Sequence, residues 1–149
     1  LTAKPGAPNH FGLVQGEANA VEPGKRPLSA MTPSLLLDGQ GGLRMVVGNA
    51  GGATIITTIW QVVSGVLDHG LTLAEALAAP RVHHQHLPDR IQVEPSGLPE
   101  AVAGELRARG HAVEERDEMS GDAHAVAVRP DGTLEGVSDP RRGGVALGL

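Results

Sequence analysis

Two adjacent glycines, Gly51 and Gly52, stand between a short apolar run and a segment with strong helical periodicity. Apolar residues recur three or four positions apart over 55–67, and Gly70 follows where a C-terminal cap is expected. The pair therefore lies at a predicted helix N-terminus, where the first amides lack internal acceptors and the helix dipole is positive. Such amides can stabilise an oxyanion during acyl transfer. A plain strand-to-helix turn explains the glycines equally well, whereas their spacing fits neither common nucleotide-phosphate motif.

Ser29 lies on a proline-stiffened loop just before the first predicted strand. A serine hydroxyl in that place can donate a hydrogen bond to a carboxylate. A Ser/His/Asp triad can also be drawn from Ser29, any of the seven histidines and Asp139. Because no G-x-S-x-G elbow surrounds Ser29 and so many histidines would serve, the triad carries little weight.

Three histidines cluster at His83, His84 and His86. On a strand His84 and His86 would share a face, but no acidic partner stands at a diagnostic spacing, and catalytic zinc usually has three protein ligands. Structural histidines with hydrogen-bonded rings are the favoured interpretation. We expect no metal and no cofactor.

These residues must be positioned by the surrounding helices and strands. The predicted order of strand, strand, helix, helix and then mixed elements indicates an α+β fold, with helices packed on a largely antiparallel sheet. The first 24 residues have little periodicity and read as a lid-like loop, so we expect one domain with its sheet and helix core at 25–149. Thr72 and Glu75 have the spacing of a capping box. We expect strands at 34–37 and 43–47, both buried, and at 91–94, 111–115, 124–129 and 133–137, with helices at 55–67, from Thr72 to Pro80, and at 99–109.

Composition excludes several classes of partner. The 149 residues carry a net charge of −5 with scattered lysines and arginines, which argues against nucleic acid or an anionic membrane. With one phenylalanine and one tryptophan, the chain has few aromatic side chains on which nucleic-acid bases could stack. No segment has the length of a membrane helix, and the absence of cysteine leaves the redox compartment open.

Five motifs in this order resemble the small subunit of γ-glutamyltranspeptidases. They are GKRPLSAMTP at 24–33, GNAGG at 48–52, IITT at 55–58, AAPRVHHQ at 78–85 and SDPR at 138–141. The segments 4–9 and 12–14 are similar to the family's lid loop, so the resemblance covers essentially the whole chain.

The resemblance implies an N-terminal-nucleophile hydrolase with an αββα sandwich, made as a precursor that cleaves itself into large and small subunits. The family's nucleophile is the threonine exposed by that cleavage, with its own α-amine as base. We expect this threonine upstream of Leu1, so the partners are the large subunit and the upstream part of the small subunit, and the chain alone should be inactive. The role is therefore assigned to none of Thr2, Thr32, Thr54, Thr57 and Thr58.

Carried over residue by residue, Gly51 and Gly52 match the glycine pair of the family's oxyanion hole. Ser29 and Ala30 match the serine pair that binds the α-carboxylate of the γ-glutamyl donor. Ala30 departs from the pattern, and losing one charge-assisted hydrogen bond costs about 1.5–3 kcal/mol, or on the order of 10- to 100-fold in affinity. Phe11 takes the lid-loop aromatic position without a tyrosine hydroxyl, which favours hydrolysis over transfer to an acceptor.

The expected function is therefore cleavage of γ-glutamyl amides such as glutathione through an acyl-enzyme, with transfer to water or an amine. An acylase for glutaryl- or cephalosporin-type amides is one alternative, because such substrates lack the α-amino-acid head group. A non-catalytic fragment that only binds is the other. The resemblance to the family implies a periplasmic or secreted protein, and a cytoplasmic location is the alternative.

Overall fold

A four-stranded antiparallel sheet with two helices on one face forms the body of the protein. The computed structural model describes residues 2–117 and 121–148. The strands are β1 (Ser34–Leu37), β2 (Leu43–Ala50), β3 (Val82–His83), β4 (Ile91–Val93), β5 (Val113–Glu115), β6 (Asp122–Val128) and β7 (Leu134–Ser138). The helices are α1 (Ile55–Leu67), α2 (Leu73–Ala78) and α3 (Glu100–Ala108). The larger sheet has the order β1-β2-β6-β7, and the expected α+β class is confirmed.

The hydrophobic core lies between the larger sheet and helices α1 and α2. Alternate residues of β2 point into it, so Met45 and Val47 are almost completely buried. The helices cross closely at Gly65, where an added Cβ would lie 3.2 Å from the Cβ of Ala76. The core residues are Met45, Val47, Ile59, Val62, Leu73, Ala76, Leu77, Ala123 and Ala125.

The opposite face of the same sheet is apolar but exposed. Leu35 pairs with Val46 across β1 and β2, and Val46 pairs with Val126 across β2 and β6. Leu35 is 70% exposed and Leu37 is 60% exposed. The prediction that β1 and β2 are both buried strands is therefore wrong for this face, because α1 and α2 pack only on the other one.

The smaller sheet has the order β3-β4-β5. Strands β3 and β4 are antiparallel, but β4 and β5 are parallel and α3 lies between them in sequence. Parallel neighbours need such a crossover. The expectation of a largely antiparallel sheet thus holds for the larger sheet and fails for this pair.

Local signals set the element ends closely. Helix α2 begins with the predicted capping box, in which the Thr72 side chain accepts from the Glu75 amide and the Glu75 carboxylate accepts from the Thr72 amide at 2.8 Å. Strand β2 extends to Ala50, three residues beyond its prediction, and Pro99 is the N-cap of α3. Among the described residues, no helix is long and apolar enough to cross a membrane.

A buried group of two arginines and two carboxylates joins the two sheets. Asp139 follows β7 and accepts from the Arg81 and Arg141 side chains and from the Ala123 amide. Glu94 follows β4 and accepts from Arg141 Nε at 2.9 Å and from the Arg81 amide at 2.9 Å. Since Arg81 directly precedes β3, these bonds fix the start of β3 relative to the larger sheet.

Candidate functional site

The turn that carries the glycine pair leaves one amide available. Strand β2 ends at Ala50, and a single 3₁₀ turn from Gly52 to Thr54 leads into α1. Gly52 has φ 59°, in the left-handed region that favours glycine. The Gly51 carbonyl accepts from the Thr54 amide at 3.2 Å and from its hydroxyl at 3.0 Å. Among the described residues, the Gly52 amide donates no hydrogen bond.

The Phe11 ring lies directly against Gly52. A Cβ added to Gly52 would lie 2.6 Å from Cε1, 3.0 Å from Cζ and 3.1 Å from Cδ1 of that ring. Only a glycine lets the aromatic ring approach the turn so closely. The ring of Phe11, the predicted lid-loop aromatic residue, thus packs against the glycine turn, and its role there stays a prediction.

A pocket of about 650 Å³ brings the predicted binding residues together. Ser29, Ala30, Gly52 and Phe11 all line it. Gly51 lies instead on an adjoining, more polar pocket of about 510 Å³, which Phe11 also lines. Phe11, Ala53, His83 and Gln85 line both spaces. The further apolar lining of the larger pocket includes Leu13, Leu28, Met31, Ile55 and Ile56.

The Ser29 hydroxyl is partly engaged. Its oxygen accepts from the Met31 amide at 3.1 Å. Within residues 2–117 and 121–148 its proton has no acceptor, so it remains able to donate to a ligand. Ala30 contributes only a methyl group, and its carbonyl accepts from the Thr32 hydroxyl at 2.9 Å.

A chain of hydrogen bonds that the sequence interpretation missed runs beside this pocket. His83 is 4% exposed, and its Nδ1 lies 2.8 Å from the Thr57 hydroxyl of α1. Its Nε2 lies 2.9 Å from Gln85 Oε1. The amide nitrogen of Gln85 donates to the Phe11 carbonyl at 2.9 Å. The IITT and AAPRVHHQ motifs supplied the residues, but not their contact.

The remaining histidines of the cluster have structural partners. His84 Nε2 lies 3.1 Å from Asp89 Oδ1, and His84 Nδ1 accepts from the His86 amide at 3.1 Å. The His84 ring therefore has one acidic partner, Asp89, which lies five residues along the chain. In the described part of the chain, no group of three or more histidine, cysteine, aspartate or glutamate side chains could hold a metal ion.

Asp139 is not a member of a Ser/His/Asp triad with Ser29. Its oxygens accept from arginine side chains and from the Ala123 and Arg141 amides. Burial alone would raise the pKa of the Asp139 carboxyl, but these amides and Arg81 outweigh it and hold the pKa below its ordinary value. The residue is therefore an ionised structural carboxylate.

Comparison with known proteins assigns the class. The α+β body matches solved enzymes of the N-terminal-nucleophile hydrolase fold. A γ-glutamyltranspeptidase from Pseudomonas nitroreducens complexed with L-DON is 44% identical with a TM-score of 0.88, covering 100% of this chain and 77% of that one. A cephalosporin acylase from Bacillus halodurans is 30% identical with a TM-score of 0.73, covering 82% of this chain and 23% of that one.

The sequence comparisons identify the family. The γ-glutamyltranspeptidase family model matches residues 1–149. The glutathione hydrolase proenzyme of Escherichia coli (strain K12) is 48% identical over 141 residues, covering 95% of this chain and 24% of the relative. The chain belongs to the γ-glutamyltranspeptidase family, and it spans about a quarter of the length of such relatives.

Proposed function

We propose that this chain forms the acyl-binding half of an enzyme that cleaves γ-glutamyl amides such as glutathione. The observation that carries the proposal is the single pocket lined by Gly52, Ser29 and Ala30. A serine whose hydroxyl can donate and a glycine whose amide has no hydrogen bond among the described residues line one space, as a carboxylate-bearing acyl donor would require.

The proposed reaction proceeds through an ester on an upstream threonine. The threonine hydroxyl attacks the donor carbonyl, its α-amine takes the proton, and the Gly52 amide, with Gly51 as the family's second glycine, stabilises the oxyanion. The intermediate expels the leaving amine, which receives the proton. Water or an acceptor amine then attacks the acyl-enzyme ester and releases the γ-glutamyl product.

We assign the rest of the precursor as the partner of the exposed sheet face. Leu35, Val46 and Val126 form a row across three strands, with Leu37 and Leu134 nearby on the same sheet. Burying each such side chain contributes about 1.5–3 kcal/mol. An αββα sandwich covers this face with a second sheet, which would come from the large subunit and the upstream part of the small subunit.

Residues 1–24 are proposed to act as a loop over the core at 25–149. The contact of Phe11 with Gly52 supports this division. A phenylalanine has no hydroxyl that could hold such a loop closed with a hydrogen bond. With weaker closure, hydrolysis of the acyl-enzyme should exceed transfer to an acceptor amine. We further expect the assembled enzyme in the periplasm or outside the cell.

An acylase for glutaryl- or cephalosporin-type amides is the second candidate. Ala30 removes one of the two hydroxyls that would read a donor carboxylate, and the pocket is otherwise lined mainly by apolar side chains. The likeness to a cephalosporin acylase agrees with this alternative.

A substrate comparison on the full-length, processed enzyme tests the proposal. We expect turnover of γ-glutamyl p-nitroanilide, and we expect Ala30→Ser to lower its KM by about 10-fold through one restored hydrogen bond to the carboxylate. Ala3→Ser, at an exposed position on the 1–24 loop, is the matched control. Faster turnover of the glutaryl anilide would favour the acylase. Turnover of neither anilide would leave only a binding protein, and equal Ala30→Ser effects on both would show that the loop does not read the α-carboxylate position.

A further inference from the structure

The orientation of the Gln85 side chain is fixed by its two acceptors. Gln85 Nε2 donates to the Phe11 carbonyl at 2.9 Å and to the Leu87 carbonyl at 3.0 Å. Turning the amide over would place Oε1 against both carbonyl oxygens, where it can only repel them. Oε1 must therefore face His83 Nε2, which lies 2.9 Å away.

This orientation decides the proton on His83. Since Gln85 Oε1 can only accept, His83 Nε2 must carry a hydrogen. In the neutral ring, Nδ1 is then an acceptor for the Thr57 hydroxyl at 2.8 Å, and the Thr54 carbonyl, at 3.1 Å, is the longer alternative acceptor for the same proton. Thr57 belongs to the first turn of α1, directly after the 3₁₀ turn of Gly52. One directed set of bonds thus runs from the start of α1 to the backbone of Phe11.

Packing holds the Phe11 segment from a second side. The Phe11 amide donates to Asn9 Oδ1 at 2.9 Å, which closes a local turn. A Cβ on Gly12 would lie 3.1 Å from Pro88 Cδ and 3.6 Å from Gln85 Nε2, so the loop lies against the 85–88 segment. Gln85 is the only residue of these that also bonds to His83 within the described chain.

We propose that Gln85 is a positioning residue that, itself held by His83 and Thr57, fixes the Phe11 backbone so that the ring packs against Gly52. The role deepens the proposed function, on which it rests, because Phe11 lines both pockets beside the glycine turn. Gln85 touches no reacting atom. It holds the backbone of the residue whose ring packs against Gly52.

Hydrogen exchange on the full-length enzyme tests the positioning without any substrate. Gln85→Ala removes the bridge, and Gln85→Glu keeps its shape but sets a carboxylate oxygen against two carbonyls. Both should speed amide exchange in residues 8–15 by about 10-fold, since a local opening that loses these bonds becomes easier. Gln40→Ala, in the exposed β1–β2 turn, is the matched control and should leave exchange unchanged. Unchanged exchange in both Gln85 variants would overturn the proposal.

Substitutions of Thr57 test the other end of the chain. Thr57→Val removes the hydroxyl and should speed exchange at 8–15, whereas Thr57→Ser keeps the hydroxyl and should not. Equal exchange in the two variants would show that the bond to His83 does not reach the Phe11 segment.

A double-mutant cycle separates positioning from general destabilisation. Gln85→Ala should lower kcat/KM for the γ-glutamyl anilide by about 10-fold in the wild-type background and by less than about 2-fold with Phe11→Ala, because the ring it positions is gone. The same loss in both backgrounds would show that Gln85 acts in another way. If the wild-type enzyme turns over no anilide, the proposed function fails, and the exchange experiments still decide the positioning.

Discussion

Replacing Gly52 by alanine tests the contact on which the candidate site is built. The added methyl group would begin 2.6 Å from Phe11 Cε1, whereas carbon atoms pack best at about 3.5–4.0 Å, so the ring must withdraw by about 1 Å. An L-residue at φ 59° costs a further 1–2 kcal/mol or so. Proline is a poorer probe, because its ring fixes φ near −65° and would break the turn.

We expect Gly52→Ala to lower kcat of the processed enzyme by about 100-fold while the Kd of the donor changes little. Strain at the positive φ that withdrawal of the ring does not relieve will displace the Gly52 amide, and loss of one oxyanion donor typically costs about 10²- to 10³-fold in kcat. Negative charge develops on the carbonyl oxygen only during attack, so the substitution should change the free energy of donor binding little. Single-turnover kinetics with a γ-glutamyl anilide separates the two quantities.

Two companion variants locate the cause. Phe11→Ala combined with Gly52→Ala frees the space and should recover most of the loss, whereas an unrecovered loss would place the damage in the backbone alone. Gly104→Ala, in open space within α3, is the matched control and should leave kcat unchanged while adding about 0.5–1 kcal/mol of stability. An unaltered kcat in Gly52→Ala, or a loss confined to Kd, would refute the assignment of this amide to the oxyanion.

Three further predictions concern the stability of the full-length enzyme. Asp139→Asn should cost about 3–5 kcal/mol by denaturant titration, because it leaves the buried Arg81 uncompensated, although Arg141 keeps its bond to Glu94. Asp89→Asn, at an exposed position, should cost less than about 1 kcal/mol, and equal costs would contradict the buried network. The lowered pKa of Asp139 means that its stabilisation is complete above the unfolded value of about 3.9 and is lost as the pH falls through the folded pKa, so the wild type should lose more melting temperature between pH 5 and pH 2, roughly, than Asp139→Asn. Thr72→Ala should cost about 0.5–2 kcal/mol by removing the capping box, and Thr72→Ser should restore it; a Thr72→Ala enzyme as stable as wild type would show that the cap contributes nothing.

Local patterns in the sequence predicted the elements well. The spacing of apolar residues gave α1 at 55–67, and Thr72 with Glu75 gave the start of α2, because both depend on neighbours within one helical turn. Strand β3 escaped prediction because it has two residues and exists only through its pairing with β4. Burial of Leu35 and Leu37 was overestimated, because an apolar run does not reveal which sheet face the helices cover.

Contacts between segments that are far apart in the sequence could not be predicted from it. His83 meets Thr57 across 26 positions, and Arg81 meets Asp139 across 58. Their geometry depends on how β3 docks against α1 and the larger sheet, which no local spacing encodes. The resemblance to a family supplied the pocket residues Ser29, Ala30 and Gly52, and the structure places these three around one space, but it leaves their roles as proposals.

The segment from Arg81 to Gln85 connects the framework to the site. Arg81 is held in the buried network by Asp139, and four residues later Gln85 holds the Phe11 backbone. A two-residue strand has little stiffness of its own, so its position is set by what binds its ends. A shift of Arg81 would therefore move His83 and Gln85 together, and the Phe11 ring with them. The AAPRVHHQ and SDPR motifs therefore form one structural unit. The buried ion pair of Arg81 and Asp139 fixes strand β3, and Gln85, which follows β3, bonds to the backbone of Phe11 beside the glycine turn.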